Sequence, residues 1–584
     1  MTNPQNSGGE QAVKNHLIAE MFEQMADVLE FKGEIPFKVN AYRKASRIIK
    51  DLQIDIETLW KANKLNTIPG VGSGLAKKID EFLETGRMTK YEEIVHSVPP
   101  GLIDLLKIQS LGPKTLALVH KKLNVETLED LKRVIQDGSL AQLPGMGEKK
   151  AENILKGIQL REKGLGRIAL GIALPLVEEI IKELKKLSHV GRIYPAGSVR
   201  RMRETVGDID ILAETDHGEE IVKKFVSLPH VTRVLAAGKT KGSVLVEGNI
   251  QVDLRAIKSA SYGAALQYFT GSKAHNIRLR EIAKRQGLKI NEYGIFDGEK
   301  NIGGEKEEEI YNVLGLIWIP PELREDRGEI EAAKEKNLPE LVTLEDINGD
   351  FHVHTEWSDG SGTIEEIVAK AEELGYSFVV ISDHSQSAAY AGGLTPEKLV
   401  EQIKEIKRIG ERTKKIRVLC GTEVDIHADG SLDFSDELLE KLDIVIAAVH
   451  SGFKQKVTER LIAAARNPNV TIIAHPTGRI ISQREGYQLD LEKVMKVCAE
   501  TGTALEINSY YERLDLNDIN ARKAKEMGIK LAIGTDAHHP NQMHSMRLGL
   551  GVARRAWIEK KDLLNALSLE KILQLKGKKK QECK

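Results

Sequence analysis

Hydrophobic positions along the chain follow two different periods, and the change between them divides the sequence into regions. Up to about residue 165, apolar residues recur every three or four positions, as in HLIAEMFEQMADVL, which predicts helices. From about residue 166 to 320, segments such as DIDILAE and IQVDLRAI alternate apolar and polar residues, which predicts strands in an α+β unit. From about residue 346 onward, short apolar strands alternate with helical segments, a pattern typical of a βα barrel or a doubly wound sheet.

A charged segment with three prolines separates the second region from the third. Residues 319–345 contain no apolar strand, and we therefore expect a linker there. The whole chain of 584 residues is too long for one hydrophobic core, so three or more folding units are expected.

Composition argues against a membrane protein and against a secreted protein held together by disulfides. The apolar runs are shorter than the roughly 18 residues that a membrane span needs. The N-terminus lacks the pattern of an export signal, and three cysteines fit a reducing cytoplasm. With 85 basic and 86 acidic residues, net charge neither supports nor excludes DNA binding. We expect a cytoplasmic, nucleoid-associated monomer without a membrane partner.

Three glycine-containing turns repeat within the helical region: IPGVGSGLAKKI, QSLGPKTLALV and LPGMGEKKAENI. Glycine allows a positive φ and lets the backbone N–H groups at the start of the following helix approach a phosphate. One such turn is more often an ordinary helix C-cap, but three in succession favour sequence-independent DNA binding. The glycines expected at the DNA backbone are Gly70, Gly72, Gly112, Gly145 and Gly147.

The segment GSVRRMRETVGDIDIL carries the first candidate catalytic site. Asp208 and Asp210 are two residues apart, so on a strand both face one side, and a divalent cation would remove their mutual repulsion. Asp253, on the polar side of another predicted strand, would complete a carboxylate set for two ions and in-line attack on a phosphate. An isolated DxD is more often surface decoration, but the whole pattern is rarer. Gly197, Ser198, Arg201 and Gly207 are expected to contact triphosphate oxygens.

These motifs resemble those of the nucleotidyltransferases of the DNA polymerase X type, represented by the vertebrate repair polymerase beta, over about residues 1–320. The resemblance implies Mg²⁺ or Mn²⁺, deoxynucleoside triphosphates, and gapped or primed DNA. In YFTGSKAHNIRLR it implies a nucleotide pocket in which Tyr268 and Phe269 face the sugar, beside Gly271, while Asn276 and Arg280 meet the base edge and the template side. The domains it implies are a helix-hairpin-helix domain (1–85), a fingers-type domain (86–165), a palm (166–260) and a thumb (261–318).

The same resemblance places Lys78 at the position of the family's lyase lysine. A lysine can form a Schiff base with an abasic sugar if neighbouring cations depress its pKa, and Lys77 is adjacent. Gly74 replaces another lysine of that pocket, and a plain phosphate contact is the alternative role for Lys78. Lys273 also departs from the family pattern, since vertebrate relatives have an acidic residue near the base.

In the third region, seven predicted strands end in succession at candidate ligands. All strands of a parallel barrel end at one rim, so these side chains should converge there. A single histidine would more often be a core residue, but agreement at successive strand ends favours a metal centre. Imidazoles mixed with carboxylates suit Zn²⁺, Mn²⁺ or Fe²⁺, and the set could hold up to three ions. It comprises His352, His354, Asp359, His384, Glu423, His450, His475, Asp536 and His538.

This ligand set resembles that of the polymerase-and-histidinol-phosphatase (PHP) domain, a distorted (βα)7 barrel, over residues 346–584. Taken together, the regions resemble the bacterial and archaeal X-family polymerases. The resemblance implies a repair polymerase of the base excision type that fills short gaps, with a 3′–5′ exonuclease that processes 3′ ends and an AP endonuclease activity. The alternatives are a polymerase joined to an independent small-molecule phosphoesterase, and a DNA-end scaffold with inactive sites.

Overall fold

The computed structural model describes residues 8–51, 56–68, 70–106, 108, 111–164 and 167–574. It divides the chain into two compact units. The first unit comprises residues 1–166 together with 480–485, and the second comprises residues 167–479 together with 486–584.

The first unit is built from helices around one hydrophobic core. Phe22, Ile79, Leu116 and Ile154 are completely buried in this core, which therefore runs through the whole helical region. The helices are α1 (Gly8–Phe31), α2 (Pro36–Asp51), α3 (Ile56–Lys61), α4 (Ser73–Thr85), α5 (Thr89–Val95), α6 (Pro100–Leu106), α7 (Pro113–Leu123), α8 (Leu128–Gln136) and α9 (Gly147–Gly164).

Each of the three predicted glycine turns lies directly before a helix, as expected. Gly72 and Gly112 are the N-cap residues of α4 and α7, and α9 begins at Gly147. Gly70 and Gly145 have φ values of +77° and +73°, which residues other than glycine rarely adopt. The helix-hairpin-helix organisation of this region is confirmed.

The second unit opens with a palm of mixed α and β structure. Its elements are β1 (Ile168–Ala169), α10 (Leu170–Leu184), β2 (Ile193–Pro195), α11 (Gly197–Arg200), β3 (Thr205–Val206), β4 (Ile209–Glu214), α12 (Gly218–Val226), β5 (Val231–Ala237), β6 (Lys241–Val246) and β7 (Ile250–Ile257). Five strands form one sheet in the order β2-β4-β7-β6-β5, in which only the β4–β7 pair is parallel. The predicted alternation is seen in β4, where Ile209 and Ile211 are fully buried.

Two helices, a small antiparallel sheet and two further helices follow the palm. They are α13 (Tyr262–Thr270), α14 (Lys273–Arg285), β8 (Leu288–Asn291), β9 (Gly294–Asp297), β10 (Lys300–Gly303), α15 (Glu307–Val313) and α16 (Glu329–Lys334). Leu279, Ile295 and Tyr311 belong to their common core.

Residues 319–345 differ from the expected linker, because they pack into this same core. Leu323, Ile330 and Ala333 are buried with the thumb residues, and α16 lies within the segment. Two of the charges that suggested solvent exposure, those of Arg324 and Glu329, are instead buried and paired. Arg324 is fully buried and donates to Glu307 over 2.7 Å, and Glu329 lies 2.7 Å from Nδ1 of His275.

The remainder of the second unit is a barrel of seven parallel strands in sequence order. The ring is nearly closed by backbone bonds from His354 N to Ala537 O (2.8 Å) and from Asp536 N to His352 O (2.9 Å). This confirms the predicted (βα)7 barrel. Its elements are β11 (Gly349–Asp350), α17 (Ile364–Glu373), β12 (Phe378–Ile381), α18 (Pro396–Arg412), β13 (Arg417–Asp425), α19 (Asp436–Leu439), β14 (Ile444–Ala448), α20 (Val457–Arg466), β15 (Ile472–Ile473), α21 (Leu491–Thr501), β16 (Ala504–Asn508), α22 (Asp518–Glu526), β17 (Leu531–Gly534) and α23 (Met546–Arg555).

A network of buried charges joins the barrel to the segment that follows α11. Arg555, at the end of α23, donates to the Glu325 carboxylate (2.9 Å), the Asp518 carboxylate (2.8 Å) and the backbone carbonyl of Arg201 (2.7 Å). The Arg201 guanidinium also contacts Glu325, at 3.1 Å. The position of Arg201 thus depends on a residue of the barrel.

Replacing Arg555 by alanine is expected to lower the free energy of unfolding of the protein by about 3–5 kcal/mol, the usual effect of removing one partner of a buried ion pair. Glu325 and Asp518 would each lose a bond to the guanidinium while staying largely buried. Urea denaturation followed by circular dichroism measures the change. Arg412→Ala, at an exposed helix end, is the matched control and should change stability by less than about 0.5 kcal/mol. Equal stability of the two variants would contradict the expectation.

In the described part of the chain, no helix combines the length and apolar character needed to cross a membrane.

Candidate active sites

The strand register of the palm brings the predicted catalytic carboxylates together. Asp208 directly precedes β4, and Asp210 lies on β4 opposite Asp253 of the parallel neighbour β7. Asp208 is exposed, whereas the other two lie deeper. All three therefore stand on one face of the sheet, as their spacing predicted.

The electrostatics of this face favour a cation. Burial, followed by the charges of Asp208 and Asp253, raises the pKa of Asp210 to about 6. Asp253 behaves differently: burial acts against its charge, but bonds from Ser243 (2.5 Å) and Gln251 (3.1 Å), together with Lys241, leave its pKa lowered. The Lys241 ammonium lies 3.2 Å from Asp253. A divalent ion bound between Asp208 and Asp210 would reduce the repulsion between their charges, as the Lys241 ammonium does for the charge of Asp253.

Replacing Asp210 by asparagine is expected to stabilise the protein in the absence of divalent cations. With a folded pKa of about 6 against the ordinary 3.8, the carboxylate is disfavoured in the folded state above about pH 6, and the amide removes this cost. Thermal melting in EDTA measures the effect. The gap between variant and wild type should be widest above pH 6, narrow as the pH falls toward 4, and vanish below about pH 3, where the acid is neutral in both states. A gap that does not change with pH would contradict this origin.

A glycine is required where α11 meets this carboxylate face. Gly197 has a φ of +58°, and a Cβ there would lie 2.9 Å from Oδ2 of Asp210. Ser198 follows in the same helical turn, and Gly207 directly precedes Asp208. Arg201 is turned toward the thumb, where it bonds Glu325 and the Thr270 carbonyl oxygen (2.5 Å). To reach a triphosphate, its guanidinium would have to leave these partners.

The residues of the expected nucleotide pocket surround the turn between α13 and α14. Tyr268 and Phe269 lie near the C-terminal end of α13, with ring centroids 5.2 Å apart. Gly271 is the C-cap residue of that helix. Asn276 donates to the Tyr268 carbonyl oxygen over 2.7 Å, and the Arg280 side chain is exposed one turn further along α14.

The sequence analysis did not identify two basic residues of the palm. Arg255, on β7, stacks on the Phe269 ring at 4.4 Å, and Lys241, on β6, faces Asp253. Arg255 could have been found, because it is two residues from Asp253 and thus on the same face of the strand. Lys241 could not, because its place depends on β6 pairing with β7.

In the barrel, the structure brings all nine predicted ligands to one rim. Glu423 lies at their centre, with its carboxylate oxygens 2.9 Å from His384 Nδ1, 3.2 Å from His450 Nε2 and 2.9 Å from His475 Nε2. Asp536 lies 3.1 Å from His354 Nε2. The remaining close pairs join Asp359 to His384 (3.6 Å) and His538 (3.3 Å), and His352 to Glu423 (3.5 Å) and Asp536 (3.7 Å).

Eight of the nine residues, all except His475, form three overlapping groups in which the ligand atoms lie within 4.8 Å of one another. The first group, on the loops after β11, β12 and β17, comprises His354, Asp359, His384 and His538. The second, on the loops after β11 and β17, comprises His352, His354 and Asp536. The third, on β13 and the loops after β12 and β14, comprises His384, Glu423 and His450.

Buried atoms without a hydrogen-bond partner indicate that this set fits metal ions. Among the described residues they include Nε2 of His352, both ring nitrogens of His354, Nδ1 of His384 and Oε2 of Glu423. Burial, followed by the neighbouring imidazoles of His538 and His384, lowers the pKa of His354 to about 3. A neutral imidazole with free nitrogen atoms beside carboxylates is the state that a metal ligand requires.

Two further carboxylates orient the histidines, and the sequence analysis did not assign them a role. Glu506, on β16, lies 2.7 Å from His352 Nδ1 and also accepts the backbone N–H of His475 (2.7 Å). Asp425, at the end of β13, lies 3.2 Å from His450 Nδ1. A carboxylate on the far ring nitrogen fixes the tautomer of a metal-binding histidine. The sequence could have indicated a role for Glu506, because this residue lies near the end of a predicted strand.

Glu506→Gln is expected to reduce metal-dependent hydrolysis at the barrel by about 10–100-fold, since outer partners of metal ligands usually have this effect. The amide keeps the size of the side chain but loses one acceptor for His352 or His475. Turnover of bis(p-nitrophenyl) phosphate with Mn²⁺ measures the loss. The matched control is Glu500→Gln, on an exposed position of α21, which should keep wild-type turnover. A loss of the same size in the control would contradict the assignment.

Lys78, the candidate lyase lysine, lies half-buried on α4. Its ammonium donates to the Gly74 carbonyl oxygen (2.8 Å) and lies 5.9 Å from the Tyr42 ring. Burial, followed by the charge of Lys90, lowers its pKa. The neighbour predicted to lower it was Lys77, whereas the structure gives this role to Lys90 and, more weakly, to Lys38.

Comparisons with protein families match each region of the chain. The helix-hairpin-helix domain matches residues 13–88, and the SAM-like helix-hairpin-helix tandem matches residues 102–160. The DNA polymerase beta thumb matches residues 265–325, which extends past the predicted boundary at residue 318. The PHP domain matches residues 350–510.

The relatives include a polymerase that matches nearly the whole chain and probable phosphatases that match about a third of it. The DNA polymerase/3′-5′ exonuclease PolX of Bacillus subtilis (strain 168) is 39% identical over 565 residues, covering 95% of this chain and 98% of the relative. A probable phosphatase of Thermoanaerobacter sp. (strain X514) is 33% identical over 230 residues, covering 37% of this chain and 89% of the relative. A probable phosphatase of Caldicellulosiruptor saccharolyticus is 34% identical over 200 residues, covering 32% and 78%.

Proposed function

This chain belongs to the PolX family of X-family DNA polymerases, and from this premise we propose that it fills short gaps during DNA repair and processes the 3′ ends of the same strands. The enzyme is a DNA polymerase with a 3′–5′ exonuclease. The observation that carries the proposal is that one chain holds both a carboxylate face beside a thumb and a nine-ligand centre in a PHP barrel. Repair of the base excision type, with incision at abasic sites, is the biological role that we propose for this pair.

We propose a different role in nucleotide addition for each group of palm residues. Asp253 is placed to accept the proton of the primer 3′-hydroxyl, while Asp208 and Asp210 would hold the ions that bind the triphosphate. Gly197 and Ser198 would present backbone and hydroxyl donors to its oxygens, and Gly207 lets the chain turn into β4. Tyr268 and Phe269 would contact the sugar, beside Gly271, with Asn276 and Arg280 toward the base and the template.

The barrel residues would hold up to three ions and orient the phosphodiester. Divalent cations, which we propose to be Mg²⁺ or Mn²⁺ in the palm and Zn²⁺, Mn²⁺ or Fe²⁺ in the barrel, supply positive charge for the phosphate and an activated water for hydrolysis. Glu423 is placed between the groups and would serve more than one ion. Glu506 and Asp425 keep His352 and His450 in the tautomers that expose their Nε2 atoms.

The helical unit would hold the DNA by its backbone. Gly70, Gly72, Gly112, Gly145 and Gly147 leave the N-terminal N–H groups of three helices open to phosphates, a contact independent of sequence. We propose a monomer that acts on gapped or primed DNA with deoxynucleoside triphosphates. The lowered pKa of Lys78 also favours removal of a 5′ sugar phosphate by a lyase reaction, as a second activity of this unit.

A single substrate tests the main proposal: DNA with a one-nucleotide gap and a 5′-phosphate, incubated with Mg²⁺ or Mn²⁺. Extension of the primer by one nucleotide when triphosphates are present, and its shortening when they are absent, is the expected result. Failure to extend the gapped primer with either metal would overturn the proposal of a repair polymerase.

The probable phosphatases, which match 37% and 32% of this chain, favour a second candidate for the barrel, a phosphoesterase for small molecules. Rates on p-nitrophenyl phosphate and on a DNA 3′ end distinguish the two. We expect faster release of nucleotides from DNA, and a higher kcat/KM on the small phosphomonoester would instead support the second candidate.

A further inference from the structure

An exposed tyrosine stands beside the histidines of the barrel. Tyr390 is 61% exposed, and its ring centroid lies 6.4 Å from that of His384 and 6.5 Å from that of His450. Both histidines belong to the group that contains Glu423. The ring therefore borders the place where a phosphate would be hydrolysed, yet most of its surface faces solvent.

The loop that carries Tyr390 is held firmly to the barrel. Ala388 and Ala391, on either side of the tyrosine, are buried. The loop leaves β12 after His384 and returns through a bond from Leu394 N to the His384 carbonyl oxygen (2.8 Å). Ser387, in the same loop, bonds the Asp433 carboxylate through its backbone and its hydroxyl, both at 2.7 Å. The exposed ring is thus fixed in place beside the metal ligands.

The orientation of the ring suits a flat ligand on the solvent side. The Tyr390 ring is inclined at 55° to the ring of His384 and at 74° to that of His450, so it stacks on neither of them. Two other aromatic residues in loops that follow barrel strands, Phe453 and Tyr487, stack on each other, with centroids 5.3 Å apart and an interplanar angle of 20°. Exposed Lys454 and Lys456 follow His450 in the next loop and carry the charge that attracts a phosphate backbone.

We propose that Tyr390 is a specificity-determining residue of the exonuclease, and that it stacks on the base of the unpaired 3′-terminal nucleotide. A nucleotide whose 5′-phosphate lies at the metal ligands carries its base one sugar away, and the Tyr390 ring lies beside those ligands, with its centroid 6.4 Å and 6.5 Å from the His384 and His450 rings. Stacking accepts every base, as a 3′–5′ exonuclease needs, because every base has a π face. A small phosphomonoester has no base and would not use this ring. The inference deepens the proposed function and rests on it.

The test compares two single-stranded oligonucleotides that differ only at the 3′ end, one finishing in thymidine and the other in a tetrahydrofuran abasic nucleotide. Full-length wild type, Tyr390→Ala, Tyr390→Phe and the control Tyr194→Ala, an exposed tyrosine of the palm, are assayed with Mn²⁺. Tyr390→Ala is expected to raise KM on the thymidine end by at least about five-fold. Tyr390→Phe, which keeps the ring, and Tyr194→Ala should keep wild-type KM. On the abasic end, Tyr390→Ala should equal wild type.

Three results would overturn the stacking role. An equal loss on both ends would mean that Tyr390 supports the loop and does not contact the base. A loss in Tyr390→Phe as large as in Tyr390→Ala would assign the effect to the hydroxyl. If wild type released nothing from either end while extending gapped primers, the exonuclease itself would fail, and this role with it.

Discussion

The double variant Asp208→Ala/Asp210→Ala is expected to lose nucleotide addition on gapped DNA by at least about 10³-fold, because a metal clamp on a phosphate is worth several kcal/mol of transition-state stabilisation. Asp210 lies opposite Asp253 in the β4–β7 register, and burial, followed by the charges of Asp208 and Asp253, raises its pKa to about 6. Without the two aspartates, Asp253 would be the one carboxylate of the three left on this face, bonded by Ser243, Gln251 and Lys241, and could not hold the ions alone.

The same variant should release nucleotides from 3′ ends at the wild-type rate, since neither aspartate touches the barrel ligands in the described structure. Denaturing gels of a labelled primer, run with and without triphosphates, report both activities from one preparation. Asp216→Ala is the matched control, because this exposed aspartate follows the opposite end of β4. Loss of both activities in the double variant would mean that the two sites are not independent.

Sequence pattern was sufficient wherever a functional residue lies on a strand whose period and end could be recognised. The alternation in DIDIL separated Asp208 and Asp210 from the buried Ile209 and Ile211, and a common barrel rim was enough to gather nine ligands from distant segments. Both inferences use only the geometry of a strand and the parallel arrangement of strands.

Other features depend on which strands and helices become neighbours, and sequence pattern does not encode that. Lys241 meets Asp253 only because β6 pairs with β7, and Glu506 meets His352 only because the barrel closes. The charges of residues 319–345 suggested a solvated linker because their buried partners, such as Glu307 and His275, come from distant parts of the thumb. Arg201 was expected at the triphosphate, whereas the structure holds it between Glu325 and the Thr270 carbonyl oxygen.

His450→Ala is expected to lose hydrolysis at 3′ ends and to keep nucleotide addition, the reverse of the Asp208→Ala/Asp210→Ala variant. His450 bonds Glu423 through Nε2 and Asp425 through Nδ1, both at 3.2 Å, so its loss removes one ligand and leaves Glu423 with fewer partners. Hydrolysis at 3′ ends should fall by at least about 10²-fold, more than for a variant of an outer partner such as Glu506. Extension of the gapped primer should persist, because the palm carboxylates are untouched.

His427→Ala is the matched control for this variant, since His427 belongs to the same barrel and pairs with Asp433 outside the nine ligands. It should keep both activities. On gapped DNA with limiting triphosphate, wild type should yield a mixture of extended and shortened primers, whereas His450→Ala should accumulate the extended product alone. A shift of His450→Ala toward shortened primers would contradict the barrel as the source of hydrolysis. The balance between addition and removal on one DNA end is therefore expected to depend on metal occupancy of the barrel.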